Sequence, residues 1–306
     1  MSIAPKRGEI ASSDAIVHGR FLPRGFDEDC DVVVVGSGAG GSVVAATLAE
    51  AGKRVVVLEE GPYYRSSEYE RFQPSESLRK MFREAGMLTA FGVGQTPIIA
   101  ITLGRVVGGS SVLTGGVCFR IPGEVHDHWE RDLGLSELSE ARFEGAYEEV
   151  EERMRVREVP VSMRSLATTR FVEGATRVGI AMDPLRRNTG EDCEGSGLCN
   201  FGCPAGAKRS VDRSYLPSAT RRGARVVSDA LVSRVIVERG RAAGVEGTLL
   251  GGEKGDKSRR FSVRAPIVVA ACGTLHTPLL LEATGVGRAS GELGRHVTLH
   301  PSVRIV

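Results

Sequence analysis

The sequence lacks the features typical of secreted, membrane-spanning and nucleic-acid-binding proteins. It has six cysteines in 306 residues, and 40 Lys and Arg balance 38 Asp and Glu to give a net charge of +2. Six cysteines are too few for a disulfide-stapled secreted domain, and the balanced charge gives no reason to expect a nucleic-acid partner. No segment reaches the roughly 18 apolar residues of a membrane span. Charged residues interrupt positions 1–30, where a signal peptide would be apolar. We therefore expect a cytoplasmic protein with no membrane span.

Glycine is in excess. The chain contains 39 glycines, about twice the number that average usage predicts. Hydrophobic residues make up 41% and charged residues 25%, which is ordinary for a globular chain. Because glycine-rich turns let the backbone approach a ligand closely, the excess favours a bound dinucleotide.

The strongest local pattern lies between residues 32 and 59. An apolar strand at Val32–Val35 is followed by a glycine loop at 36–41, a predicted helix at 42–51, a second strand at Val55–Leu58 and the acid Glu59. This order is the fingerprint of a dinucleotide-binding fold. A glycine-rich turn in another kind of α/β protein is the alternative.

Each element of the fingerprint has a physical task. Gly36 permits the tight turn, Gly38 lets the backbone approach a pyrophosphate, and Gly41 allows close packing of helix on strand. The helix N-terminus offers unpaired N–H groups and a positive dipole end, and Glu59 is placed to accept hydrogen bonds from a ribose. The predicted cofactor contacts here are Gly36, Ser37, Gly38, Ala39, Gly40, Gly41 and Glu59.

A second glycine cluster, at 104–116, surrounds the paired serines Ser110 and Ser111. It resembles the first signature of the glucose–methanol–choline (GMC) oxidoreductases, in which this loop runs along FAD. The resemblance implies cofactor contacts from Gly109, Ser110, Thr114, Gly115 and Val117. The family usually carries Asn where this chain has Thr114. A glycine-rich surface loop without a ligand is the alternative.

A third pattern lies near the end of the sequence. An apolar strand at 267–271 precedes a turn containing Gly273 and a helical run at 279–284. It resembles the second GMC signature, in which a Gly-Thr turn opens a helix beneath the cofactor. Between the signatures, strands are predicted within 224–250, and the resemblance implies that the backbone of Val232 holds adenine.

The resemblance implies an α/β fold: a Rossmann-like FAD-binding domain with a mostly parallel sheet, plus the start of a substrate domain. We expect residues 1–30 to be an N-terminal extension and residues 31–306 to form the FAD-binding domain, with the substrate domain truncated. The implied activity is FAD-dependent oxidation of the CH–OH group of an alcohol, sterol or sugar, with oxygen, a quinone or a cytochrome as electron acceptor. The alternatives are a non-catalytic FAD-binding fragment or subunit, and another two-dinucleotide flavoprotein such as a ketosteroid dehydrogenase.

No catalytic residue can be named from the sequence. In the family, the base is a histidine in a C-terminal segment, and nothing resembling that segment occurs before Val306. We therefore expect the base to lie C-terminal to Val306 and the chain alone to be inactive. His126 and His128 fall at the start of a predicted solvated helix, and residues 135–157 predict an exposed helix with intrahelical ion pairs.

Cys193, Cys199 and Cys203 are clustered on a glycine-rich stretch. Thiolates at such spacing suit a soft metal or an iron–sulfur cluster, but three are too few for the usual four-cysteine cluster. The stretch resembles long-chain alcohol oxidases, and also bacterial sugar dehydrogenases whose flavin subunit carries a three-iron cluster. We favour reduced cysteines without a cluster.

Overall fold

The computed structural model describes residues 16–69, 71–91, 98–251 and 257–298. The chain divides into two compact units. Unit 1 holds the chain up to Tyr64, Lys80–Ser110 and the chain from Tyr215 onward, and unit 2 holds Arg65–Arg79 and Ser111–Ser214.

The strands are short, and most belong to unit 1. In chain order they are β1 Ile16–His18, β2 Asp27–Asp29, β3 Val32–Val35, β4 Val55–Leu58, β5 Thr89–Ala90, β6 Ile99–Ala100, β7 Arg157–Glu158, β8 Arg186–Arg187, β9 Arg225–Ser228, β10 Ala230–Glu238, β11 Arg241–Leu249, β12 Arg260–Arg264 and β13 Ile267–Ala270. The α-helices are α1 Ala39–Glu50, α2 Ser66–Tyr69, α3 Pro74–Met81, α4 Gly123–Asp127, α5 Glu140–Arg153, α6 Leu166–Arg177, α7 Tyr215–Arg221 and α8 Gly273–Thr284.

The main sheet of unit 1 is parallel, with strand order β1-β9-β4-β3-β13. Its central strands β3 and β4 are buried at every position. Because both faces of a parallel sheet are covered, such strands are continuous apolar runs rather than alternating ones. The α/β fold with a mostly parallel sheet is confirmed.

A second sheet in unit 1 has the order β10-β11-β12-β2. Its first three strands are antiparallel neighbours, whereas β2 pairs parallel with β12. The Phe26 ring, just before β2, stacks on Phe261 of β12 with 5.3 Å between ring centroids. Residues 16–30, predicted as part of an extension, therefore supply β1 and β2, one strand to each sheet.

Helices α1 and α8 both begin earlier than the helical runs predicted at 42–51 and 279–284. Helix α1 begins at Ala39, inside the glycine loop, because the extended backbone of Gly38 caps it. Helix α8 begins at Gly273 and contains Pro278. Pro278 is the sixth residue of α8, so the helix continues through it without the hydrogen bond that an N–H at this position would donate to the carbonyl of Thr274.

In unit 2, α5 confirms the helix predicted within 135–157. The prediction of intrahelical ion pairs is wrong for two of its glutamates, which pair with arginines outside the helix. Glu144 and Glu151 pair with Arg120, and Glu151 also pairs with Arg186 of β8. Both arginines lie outside the helix. Among the described residues, none of the helices is both long and apolar enough to cross a bilayer.

Candidate cofactor-binding site

The glycine loop of unit 1 packs against β13 and against itself. Gly36 has φ +97°, and a Cβ atom there would lie 2.4 Å from the carbonyl oxygen of Ala271. A Cβ on Gly41 would lie 2.0 Å from the carbonyl oxygen of Gly36. Both positions therefore require glycine for the turn and for close packing of α1 on the sheet.

Gly38 and Gly40 face open space. A Cβ built on either residue would meet no atom within 4 Å, so these glycines are not needed for packing inside the protein. They lie at the N-terminus of α1, where free N–H groups and the helix dipole favour a phosphate group. This part of the loop fits the pyrophosphate of a dinucleotide.

Ser37 and Glu59 join the loop to the end of β4, and both side chains are buried. The Glu59 Oε2 atom accepts hydrogen bonds from the Ser37 N–H at 2.9 Å and from the Ser37 hydroxyl at 2.7 Å. Its Oε1 atom accepts one from the N–H of Gly61 at 2.8 Å. Burial raises the pKa of Glu59, while the hydrogen bonds from Ser37 and Gly61 act in the opposite direction. The acid predicted to bind ribose therefore also orders the glycine loop.

The first part of the second glycine cluster contacts this loop. The N–H of Gly108 donates to the Ser37 hydroxyl at 3.0 Å. Gly109 has φ +57°, and a Cβ there would lie 2.8 Å from the Cα of Gly38. The Ser110 hydroxyl accepts a hydrogen bond from the N–H of Gly104 at 2.9 Å. Two motifs that the sequence places far apart are thus adjacent in unit 1.

The third motif joins the same site. Since β13 pairs with β3, helices α8 and α1 begin at neighbouring strand ends, as ligand sites of open α/β sheets require. Gly273, the first residue of α8, has φ +79° and open space around its Cβ position. Val232 lies in β10 opposite Gly247, just before a bulge in the strand pairing.

An ion-pair cluster beside Glu59 was not predicted. The Glu60 carboxylate pairs with Arg83 Nη2 at 2.5 Å and with Arg105 Nε at 3.1 Å. Burial opposes ionisation of Glu60, but the hydrogen bond and charge of Arg83, with the charge of Arg105, lower its pKa below the usual value. Residue type alone could not pair Glu60 with arginines so distant in sequence.

The second part of the cluster, with Thr114, Gly115 and Val117, lies in unit 2. Thr114 is exposed, and its hydroxyl donates to the carbonyl of Ser111 at 3.3 Å. Val117 is 45% exposed and forms an isolated bridge with Arg187. Beneath them lies Lys208, which the sequence did not single out; its side chain is buried, and burial lowers its pKa to about 8.

The glycine loop, its acid and both further motifs are also matched by a family model. The model described as GMC oxidoreductase matches residues 30–302. The chain belongs to the GMC oxidoreductase family. Membership in this family implies FAD as the cofactor, which the geometry of unit 1 fits.

The GMC relatives include proteins of both known and unknown activity. The chain is 36% identical over 275 residues to an uncharacterised GMC-type oxidoreductase of Mycobacterium tuberculosis, which covers 90% of this chain and 42% of that protein. It is 31% identical over 281 residues to a long-chain-alcohol oxidase of Arabidopsis thaliana, covering 89% of this chain and 36% of that protein. The chain thus spans about two fifths of the length of these curated relatives.

The fold is also similar to that of solved oxidase structures. A formate oxidase variant from Aspergillus oryzae, studied for FAD modification, superposes with a TM-score of 0.62 at 18% identity. The match covers 90% of this chain and 50% of that chain. At this identity the likeness supports the fold alone.

All six cysteines of this GMC chain lie in the described residues, and none of them is in a disulfide. Cys203 is buried, whereas Cys193 and Cys199 are partly exposed. Across the described residues, which include all three, no group of three or more His, Cys, Asp or Glu side chains is arranged to hold a metal ion. The sulfur of Cys199 instead accepts a hydrogen bond from Arg187 at 2.9 Å, and that of Cys203 accepts one from the Lys208 N–H at 3.4 Å.

The expectation that His126 begins a solvated helix is wrong. This side chain is 1% exposed. Its Nδ1 atom lies 2.8 Å from the carbonyl of Leu138 and its Nε2 atom 3.0 Å from the Tyr147 hydroxyl. Aromatic neighbours Trp129 and Phe143 cover the ring. His126 is a packing residue of unit 2, and only His128 is exposed as predicted.

Proposed function

We propose that this chain binds FAD at the N-terminus of α1 and serves as the FAD-binding part of an oxidoreductase that oxidises the CH–OH group of an alcohol. The observation that carries the proposal is the loop around Ser37 and Glu59. There, protein atoms occupy the space beside Gly36 and Gly41, whereas Gly38 and Gly40 face open space at a helix N-terminus. Family membership supports FAD as the dinucleotide.

The residues of unit 1 have distinct tasks in this proposal. The first N–H groups of α1 bind the pyrophosphate, with Gly38 and Gly40 allowing close backbone approach. Glu59 uses its remaining acceptor capacity for a ribose hydroxyl while Ser37 holds it in place. Gly109 and Gly273 bring two further backbone segments to the same edge of the sheet. When bound, FAD supplies hydride-accepting chemistry.

An alcohol is the proposed substrate because a relative at 31% identity is a long-chain-alcohol oxidase. A sterol or a sugar hydroxyl belongs to the same reaction class, and testing alcohols, sterols and sugars separately as substrates distinguishes them. Oxygen, a quinone and a cytochrome remain the candidate electron acceptors. Membership in the GMC family disfavours the alternative of a ketosteroid dehydrogenase.

Cofactor recovery tests the first half of the proposal. The purified chain, supplied with FAD and passed through a desalting column, should retain flavin absorbance and release FAD on denaturation. Chromatography of the released nucleotide separates FAD from FMN and from nicotinamides. A well-folded chain that retains no FAD contradicts the proposal.

A non-catalytic FAD-binding subunit is the alternative function. Anaerobic mixing of the FAD-loaded chain with a panel of alcohols, sterols and sugars separates the two. Bleaching of the flavin band by one class supports oxidation of that class. Retention of FAD without bleaching by any class supports the binding subunit.

A further inference from the structure

Two loop segments of unit 2, 188–190 and 206–209, run side by side and bring three arginines close together. The N–H of Gly190 in the first segment donates to the carbonyl of Ala207 in the second at 3.0 Å. All three arginines belong to unit 2, so their arrangement is internal to one compact unit. They are Arg155, which lies just after helix α5, Arg209 and Arg213.

Each of the two segments has a glycine beside a guanidinium group. A Cβ on Gly190 would lie 3.8 Å from Nη1 of Arg155, and a Cβ on Gly206 would lie 2.6 Å from Nη2 of Arg213. Gly206 also has φ +65°, which favours glycine. Any side chain at Gly206 would displace the guanidinium of Arg213. The loop backbone therefore leaves room for the positive groups beside it.

The third arginine, Arg209, lies close to the other two. Burial lowers the pKa of Arg209 below its ordinary value, and the charges of Arg155 and Arg213 lower it further, whereas Asp192 acts in the opposite direction. Arginine stays protonated in proteins despite such shifts, so Arg209 is repelled by two neighbouring cations. An anion between the guanidinium groups would relieve this repulsion.

Arg209 also has a buried donor without an acceptor. Its Nε atom is buried and has no hydrogen-bond partner. Among the described residues, the guanidinium groups of Arg209 and Arg155 form no hydrogen bond or ion pair with the protein. The nearby Arg157, by contrast, pairs with Glu191 at 2.6 Å. Because a buried N–H is rarely left without an acceptor, the Nε atom of Arg209 indicates an acceptor from outside the chain.

We propose that Arg155, Arg209 and Arg213 form a binding site for a phosphate group in unit 2. A guanidinium presents its N–H donors in a planar fork that matches phosphate oxygens, and a doubly charged anion offsets the repulsion among the three cations. Arg209 supplies the buried donor, and Arg155 is exposed, which gives the anion access from solvent. A small organic phosphate and a phospholipid headgroup share this chemistry. The site is separate from the proposed FAD site and does not depend on it.

The test is calorimetric titration of the whole chain with inorganic phosphate at pH 8, where phosphate groups are mainly doubly charged, at constant ionic strength. Arg209→Met removes the buried donor and keeps an unbranched side chain, and Arg155→Gln removes the exposed guanidinium. Arg209→Lys keeps a charge but loses the planar fork. The matched control is Arg142→Gln, because Arg142 is an exposed arginine on helix α5 of the same unit.

We expect Arg209→Met and Arg155→Gln each to raise the Kd for phosphate tenfold or more. Arg209→Lys should recover part of the affinity, and Arg142→Gln should stay within twofold of wild type. A loss of affinity as large in Arg142→Gln as in the other variants would reflect overall charge and would contradict a specific site. If Arg209→Met does not fold, Arg155→Gln decides alone, since Arg155 is exposed.

Two further probes distinguish the sources of the phosphate group. Tighter binding of glucose 6-phosphate than of inorganic phosphate, lost in Arg155→Gln, would assign the site to a small organic phosphate. Sedimentation of the chain with phosphatidic acid vesicles, lost in the same variant, would assign it to a lipid headgroup. Wild-type chain that binds none of the three probes, or equal affinities in wild type, Arg209→Met and Arg155→Gln, would overturn the proposal.

Discussion

Ser37 donates two hydrogen bonds to a single oxygen of Glu59, one from its backbone and one from its hydroxyl. The glycine loop and the acid at the end of β4 are thus a preassembled pair. The same hydroxyl accepts from Gly108, which ties in the second glycine cluster. A change at Glu59 is therefore expected to act both on the ribose and on the loop geometry.

Glu59→Gln should weaken FAD binding. The amide nitrogen of glutamine cannot accept a hydrogen bond, so at least one of the three donors that face Glu59 loses its acceptor. The proposed bond from a ribose hydroxyl also loses its charged acceptor, and hydrogen bonds to charged groups are worth about 1.5–3 kcal/mol, so we expect a tenfold to hundredfold rise in Kd, measured by flavin fluorescence titration. Glu246→Gln removes a carboxylate from the exposed pair with Arg234 and is the control. Equal Kd values for wild type and Glu59→Gln would show that Glu59 is not a cofactor ligand.

Alanine at Gly40 and Gly41 should have opposite effects on the cofactor-free protein. At Gly40 the new methyl meets open space and favours the helix, so stability should rise by up to about 1 kcal/mol. At Gly41 the methyl would lie 2.0 Å from the carbonyl of Gly36, and overpacking costs about 1–3 kcal/mol or more. Chemical denaturation measures both. FAD binding by Gly40→Ala should nevertheless weaken, because the methyl occupies space proposed for the phosphates; unchanged binding would place the phosphates elsewhere.

Glu151→Gln should destabilise the protein at neutral pH, and this destabilisation should disappear in acid. Hydrogen bonds from Arg120 and Arg186 lower the pKa of Glu151 from 4.5 to about 2. Because the folded-state pKa is depressed, the stabilisation is fully present above pH 4.5 and is lost as the pH falls towards 2. At pH 7 the substitution should cost about 1–2 kcal/mol, allowing for partial solvent screening.

The difference in unfolding free energy between wild type and Glu151→Gln should therefore shrink between pH 4.5 and pH 2. Glu148→Gln, on an exposed position of the same helix, should stay within about 0.5 kcal/mol of wild type at both ends. A Glu151→Gln effect that does not change with pH would mean that the ion pairs are not its cause.

The cysteine loop should contain no iron. Anaerobically purified protein is expected to show neither iron nor acid-labile sulfide, because the three sulfurs are not arranged as a ligand set and two of them accept hydrogen bonds. Stoichiometric iron and sulfide, both lost in Cys199→Ser with FAD retained, would establish a cluster.

The sequence predicts the parts of the site that depend on local backbone. The valine runs of β3 and β4 are predicted from their hydrophobic pattern and the glycine loop from its turn chemistry, because few other structures are compatible with these residues. The helical run expected at 279–284 begins earlier, at Gly273, because α8 continues through Pro278.

The long-range partners were not predictable in the same way. Lys208 and Arg187 lie far along the chain from Thr114 and Gly115, whose carbonyls accept hydrogen bonds from them. Every residue has such a carbonyl, so residue type does not identify these partners. The burial of His126 is not predictable from its own segment, because it depends on Tyr147 and Phe143 of another helix. Local pattern carries no information about such tertiary neighbours.

The order of strands in the main sheet constrains how this chain folds during synthesis. Strand β1 pairs with β9, and β3 pairs with β13, so each of these early strands has a partner that is synthesised much later. At about 5–20 residues per second, β1 waits roughly 10–40 s for β9. During that interval β3 and β4 each lack one neighbouring strand, which favours late assembly of the sheet over stepwise folding from the N-terminus.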